Sequence, residues 1–123
     1  MVAGTNNTIT YSHSFIGGGQ NNTINSGYSV ILGGSGNTTS GGYSVAMGAN
    51  NTASSPYSFV GGANSRAAGQ ISFVFGEMDT ALGRGMVILG GTKNKSSKFS
   101  LYRAIDGGNG NYIDDENSAV IAG

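Results

Sequence analysis

The sequence predicts an all-β chain wound as a parallel β-solenoid. Three observations carry this expectation: a short motif recurs at a nearly fixed spacing, glycine is far above ordinary usage, and each repeat sets an apolar strand against a polar one. The motif is clearest in YSVILGG at Tyr28 to Gly34 and YSVAMGA at Tyr43 to Ala49. Aligning its serine gives repeat starts at Ser14, Ser29, Ser44, Ser58, Ser72, Met86, Ser100 and Ala119, with steps of 15, 15, 14, 14, 14, 14 and 19 residues. A fixed short period of this kind marks an array in which one repeat cannot bury its own apolar face and stacking supplies the core.

Each repeat then resolves in order. The motif itself reads as a strand of about five residues, rich in Val, Ile and Phe. A turn of Gly and Asn follows, suited to backbone with positive φ. A second short strand carries Thr or Ala, and a Gly/Ser turn leads back to the start. Two short strands and two tight turns consume fourteen or fifteen residues and close one flat coil. The chain opens within a repeat, since Asn7-Thr8-Ile9 matches Asn22-Thr23-Ile24. That opening suggests a piece of a longer fibre, or its tip.

Side chains alternate between the two faces of a strand. One position after each start stand Phe15, Val30, Val45, Phe59, Phe73, Val87, Leu101 and Val120, expected to stack inside the coil. Two positions after stand Ile16, Ile31, Ala46, Val60, Val74, Ile88, Tyr102 and Ile121, expected on the outer face. An apolar outer ladder calls for a partner surface, and the expected partner is another copy of the chain. The interface is therefore assigned to Ile16, Ile31, Ala46, Val60, Val74 and Ile88. On the second strand Thr8, Thr23, Thr38, Thr52 and Thr80 align with Arg66 and are flanked by Asn7, Asn22, Asn37 and Asn51. This side is expected to face solvent.

Composition narrows the function. The 123 residues suit one domain; 23 are glycine, against roughly 7% in ordinary proteins, and only 10% are charged. The net charge of zero gives no basic field for nucleic acid or anionic lipid. There is no cysteine, hence no disulfide, thiolate or cysteine-zinc chemistry. No apolar run is long enough to span a bilayer as a helix. MVAGTNNTIT lacks the charged and apolar regions of a secretion signal, so export would rest on something beyond this chain.

SVAMG at Ser44 to Gly48, followed by NNTAS at Asn50 to Ser54, resembles the head repeat of trimeric autotransporter adhesins. Similar repeats occur in fibre proteins of phages, large viruses and predatory bacteria. The resemblance covers roughly residues 6–91 and, more loosely, the rest. It implies a left-handed parallel β-roll with three chains packed side by side, displayed outside the cell or on a virion, binding a cell-surface glycan or protein receptor. Two steps of fifteen residues, more frequent Gly-Gly pairs, and the lack of a membrane anchor or coiled-coil stalk depart from the adhesin pattern.

Residues 1–91 hold the regular repeats, and residues 92–123 form charged, irregular terminal coils of the same domain. Eight of the twelve charged residues fall there: Lys93, Lys95, Lys98, Arg103, Asp106, Asp114, Asp115 and Glu116. The longest step places an insertion in DGGNGNYIDDEN, Asp106 to Asn117. Insertions in a solenoid become surface loops and often binding faces. The candidate ligand site is accordingly Lys93, Lys95, Lys98, Tyr102, Arg103, Asp106, Asn109, Asn111, Tyr112, Asp114, Asp115 and Glu116. A charged cap protecting the last strand edge explains the same residues equally well. Asp106, Asn109, Asn111, Asp114 and Glu116 are hard oxygen donors suited to calcium, but their spacing fits neither an EF-hand nor a nonapeptide calcium repeat, and neither a metal nor a cofactor is assigned.

No catalytic residue is assigned. His13, the one histidine, takes the place of Tyr28, Tyr43 and Tyr57 and reads as a repeat variant. The serines recur with the coil and lack a positioned base. Two further readings stand beside the adhesin: a fibre shaft without a receptor site of its own, and an ice-binding solenoid using the threonine ladder.

Overall fold

A computed structural model of the chain describes residues 3–115 and 118–121. The described residues form eight stacked coils, with no helix among them. One sheet contains the long strands Phe15–Ile16, Val30–Ser35, Val45–Ala49, Phe59–Ala63, Phe73–Glu77, Val87–Thr92, Ala104–Asp106 and Val120–Ile121. The other contains the short strands Thr8–Ile9, Thr23–Ile24, Thr38–Thr39, Thr52–Ala53, Arg66–Ala67, Thr80–Ala81, Lys95–Ser96 and Tyr112–Ile113. Each strand pairs in parallel with its counterpart one coil away, and each sheet has eight strands in coil order. This is a parallel β-solenoid, as the repeat predicts.

The core lies between the two sheets and is thin. The long strands contribute Ile16, Ile31, Ala46, Val60, Val74, Ile88 and Ile105, and the short strands Ile24, Ala53, Ala67, Ala81 and Ile113; all are essentially without exposure. The pairs range from Ile16 with Ile24 and Ile105 with Ile113 to Ala46 with Ala53. No coil holds more than two aliphatic side chains of isoleucine size from its two strands.

This corrects the two ladders. Ile16, Ile31, Ala46, Val60, Val74 and Ile88 fill the interior of the single chain and are not available as an interface. The outward ladder is Phe15, Val30, Val45, Phe59, Phe73 and Val87, each partly exposed or more. Parity assigns residues to a common face; the width of the interior decides which face turns inward, and phenylalanine is too large for it.

The asparagines are also interior. Asn22, Asn37, Asn51 and Asn94 are fully buried, so the solvated setting expected for the asparagines beside the threonines does not hold. Asn22 N–H donates to Asn7 Oδ1 (3.0 Å), Asn37 N–H to Asn22 Oδ1 (3.0 Å), and Asn51 N–H to Asn37 Oδ1 (3.0 Å). Asn51 Nδ2 donates to the carbonyls of Met47 and Gly62, each at 2.7 Å. The column thus ties each coil to the next and gives the turn carbonyls a buried side-chain donor.

The turn before each long strand passes through left-handed backbone. His13, Tyr28, Tyr43, Tyr57, Ile71, Gly85 and Tyr102 take φ values between 53° and 67° at equivalent places. Non-glycine residues are held there at a cost that neighbouring coils offset. His13, Tyr28, Tyr43 and Tyr57 do so by stacking face to face, with centroids 4.7, 4.9 and 5.3 Å apart.

Two register assignments near the C-terminus change. Val87 pairs with Ala104 and its N–H donates to Arg103 O (2.9 Å), so Arg103, not Ser100, stands at the repeat start. Ile105 pairs with Val120, which puts the next start at Ser118. Val120 packs against the core, as expected, whereas Leu101 lies outside the strands. The stretch expected to loop out, Asp106 to Asn117, instead contains the end of one strand and the whole of Tyr112–Ile113; Asn117 lies outside the described residues. The widened turn is the one from Ser97 to Tyr102.

Candidate functional site

The outward face of the long sheet is apolar along most of its length. Beside the ladder from Phe15 to Val87 stand Leu32, Met47, Phe75 and Leu89, and Leu32 and Leu89 are each half exposed. Leu32 reaches this face at a bulge, where the pairing with Val45–Ala49 shifts by one residue. At the centre Phe59, Phe73 and Phe75 stack, with centroid separations of 4.8, 5.9 and 5.7 Å. Gly61 lies beneath them, and a Cβ there would stand 2.6 Å from the Phe75 ring. Glycine therefore permits Phe75 to lie flat on the sheet. Ladder, bulge and aromatic cluster together form a contiguous apolar surface of the kind that marks an association site. Sequence reasoning found the ladder but turned it inward; the glycine beneath an aromatic was the overlooked signal.

The twelve candidate ligand residues do not converge. Lys95 and Tyr112 pair in register on the outside of the short sheet, continuing the column of Thr8, Thr23, Thr38, Thr52, Arg66 and Thr80. Tyr112 Oη donates to Asp114 Oδ1 at 3.5 Å, and Asp114 and Asp115 are exposed. Asn111 continues the interior asparagine column, its N–H donating to Asn94 Oδ1 (3.0 Å) and its Nδ2 to Gly107 O (3.2 Å). Lys93 occupies a left-handed turn position, and Asn109 bridges to Thr92. Lys98 lies in the widened turn, with Nζ 5.1 Å from the Phe99 ring centroid. Asp106 is exposed at the end of its strand, and Glu116 lies outside the described residues. Asp106, Asn109, Asn111 and Asp114, weighed above as calcium donors, are spread along the circuit of a coil, and Asn111 is already engaged.

Tyr102 and Arg103 do share a feature. With Gly85, Val87, Ala104, Ser118 and Ala119 they line an open depression of about 500 Å3 on the last coils. Tyr102 covers Gly85, where a Cβ would stand 2.5 Å from the ring, and the Arg84 guanidinium carbon lies 5.9 Å from the ring centroid. Arg103 Nη1 donates to Tyr102 O at 3.1 Å, while its Nε is buried without a partner. An aromatic ring with one guanidinium over it and a second beside its backbone can contact an apolar ring face and an anionic group together. Arg84 was missed because it precedes the irregular region.

His13 Nδ1 lies 3.1 Å from Ser12 Oγ, an exposed contact within a turn. Its ring is committed to the stack on Tyr28. The tyrosine faces are likewise covered by one another, so the stack turns ring edges and hydroxyls to solvent. It offers no free broad face for a sugar ring within the column.

The fold class is thus established as a parallel β-solenoid with a polar threonine side and an apolar side. Comparison of the chain with protein-family models gives no match, and comparison with curated proteins gives none either.

Proposed function

We propose that this chain is a segment of a surface-displayed fibre, a left-handed coil that packs three copies side by side and binds a target-cell glycan or surface protein without catalysing a reaction. The observation that carries the reading is the contiguous apolar outer face of the long sheet, centred on Phe59, Phe73 and Phe75. Aromatic anchors of this kind dominate protein interfaces. Self-association through the aromatic centre of that face would leave the threonine side toward solvent, with the depression at Tyr102 and Arg103 at the end of the face, where Val87 is shared between the two. Three copies of one weak site at fixed spacing bind a multivalent surface by effective concentration.

Light scattering tests the assembly. The chain should weigh about three times 12.4 kDa, and Phe73→Asp should reduce that mass while the coils stay folded. A folded wild-type monomer overturns the reading. Glycan-array binding that weakens in Arg103→Ala would support recognition; loss of all target binding with the trimer intact would leave a structural shaft. Ice binding is disfavoured, because the threonine column is one residue wide and Arg66 interrupts it.

A further inference from the structure

The asparagine column contains one substitution with a chemical consequence. Its members in coil order are Asn7, Asn22, Asn37, Asn51, Ser65, Asp79, Asn94 and Asn111, each of the first seven accepting the backbone N–H of the next. At the asparagines the second polar atom is a donor: Nδ2 of Asn51 reaches Met47 O and Gly62 O, and Nδ2 of Asn94 reaches Gly90 O (3.3 Å) and Gly108 O (3.1 Å). Ser65 preserves this, its Oγ donating toward Ala63 O (3.1 Å) or Gly76 O (3.2 Å). Asp79 alone supplies no donor when ionised. Its Oδ1 accepts the Asn94 N–H at 2.7 Å, but its Oδ2 is buried without a partner. By position, four residues before Asp79 and one coil after Gly76, the carbonyls of Phe75 and Gly91 correspond to the acceptors of Asn51 and Asn94.

We infer that in acid Asp79 is carried in the folded coil as an uncharged carboxylic acid, whose Oδ2–H replaces the asparagine Nδ2–H toward the turn carbonyls, making this coil boundary tighter in acid than at neutral pH. An ionised Oδ2 would hold its charge buried and without a hydrogen-bond donor, whereas the acid form supplies the donor that the asparagines supply elsewhere in the column. Burial pushes the carboxyl above its ordinary value of 3.8, and the exposed Glu77 on the same turn adds in that direction, against the lowering effect of the Asn94 hydrogen bonds. The charged groups of the neighbouring coils, Arg66 before and Lys93 and Lys95 after, lie on the outer surface.

The sign follows from linkage. A carboxyl with a raised folded-state value contributes its full stability below 3.8 and loses it as pH rises to that folded value, after which the loss is constant. Each unit of elevation lowers the folded-to-unfolded ratio at pH 7 about tenfold.

The test compares the full chain with Asp79→Asn by urea unfolding from pH 3 to pH 8 at fixed chain concentration, alongside a carboxyl carbon NMR titration of Asp79. Asp79→Asn should favour the folded state about tenfold or more at pH 7, with the advantage vanishing near pH 3. Asp79→Ser, which repeats the hydroxyl that Ser65 places one coil earlier, should show the same pH trend and guards against an idiosyncratic failure of the first variant. An Asp79 carboxyl titrating at or below its ordinary value in the folded chain, or two variants without any pH-dependent gain, overturns the inference.

Discussion

Replacing Gly48 with alanine tests the coil spacing at one atom. Gly48 sits at φ +96°, and its Cβ would land inside contact distance of the Gly62 carbonyl oxygen in the next coil. That oxygen also accepts Asn51 Nδ2 at 2.7 Å. Two costs follow: about 1–3 kcal/mol for a side chain in this backbone region, and about 1–3 kcal/mol for displacing a buried hydrogen bond. Gly107→Ala separates them, because Gly107 has a similar φ of +91° with nothing within 4 Å. Urea unfolding at fixed chain concentration should show Gly48→Ala destabilised by about 2–6 kcal/mol and Gly107→Ala by about 1–3 kcal/mol. Equal losses in the two variants would refute the steric argument, and a Gly48→Ala chain within about 0.5 kcal/mol of wild type would refute both parts.

Two further substitutions probe the columns. Asn51→Ala strips partners from the Ser65 N–H and the Met47 and Gly62 carbonyls; it should cost at least about 3 kcal/mol by chemical unfolding, against about 0.5 kcal/mol or less for Thr52→Ala on the outer side. Tyr43→Ala removes two ring stacks yet keeps a Cβ at φ 57°. Tyr43→Gly removes the same stacks and relaxes the backbone, so glycine should be the milder change by about 1 kcal/mol in thermal unfolding.

The period, the strand pair in each coil and their parallel stacking were legible because they are set by spacing alone. The sense of the alternation was not, since both ladders are apolar and parity carries no label for inside. Bulk resolves it: an interior lined by aliphatic side chains no larger than isoleucine, and closed by Ala46 and Ala53 alone in one coil, is too narrow for the rings of Phe15, Phe59 and Phe73. The asparagines read as solvated because a lone Asn beside Thr suggests a turn; the pairing of successive amides across coils is a tertiary fact. The terminal register misled through a decoy. Ser100 mimics the repeat serine, although Tyr102-Arg103-Ala104-Ile105-Asp106-Gly107-Gly108 repeats the pattern of Tyr28 to Gly34 more closely. The dispersal of the charged candidates followed from that slip.

The one-coil pairing of every strand also fixes how the chain would yield under tension. Pulled from its two ends along the stack, the outermost coil carries the load on its ladder bonds one after another, so they part in sequence. A coil occupies only about 4.8 Å of the stack axis, whereas fourteen residues drawn straight span about 46 Å. Each peeled coil therefore releases roughly 40 Å of slack while the remaining coils keep their registration. A tether of this design lengthens stepwise at modest force and rewinds on its own template when the pull ceases.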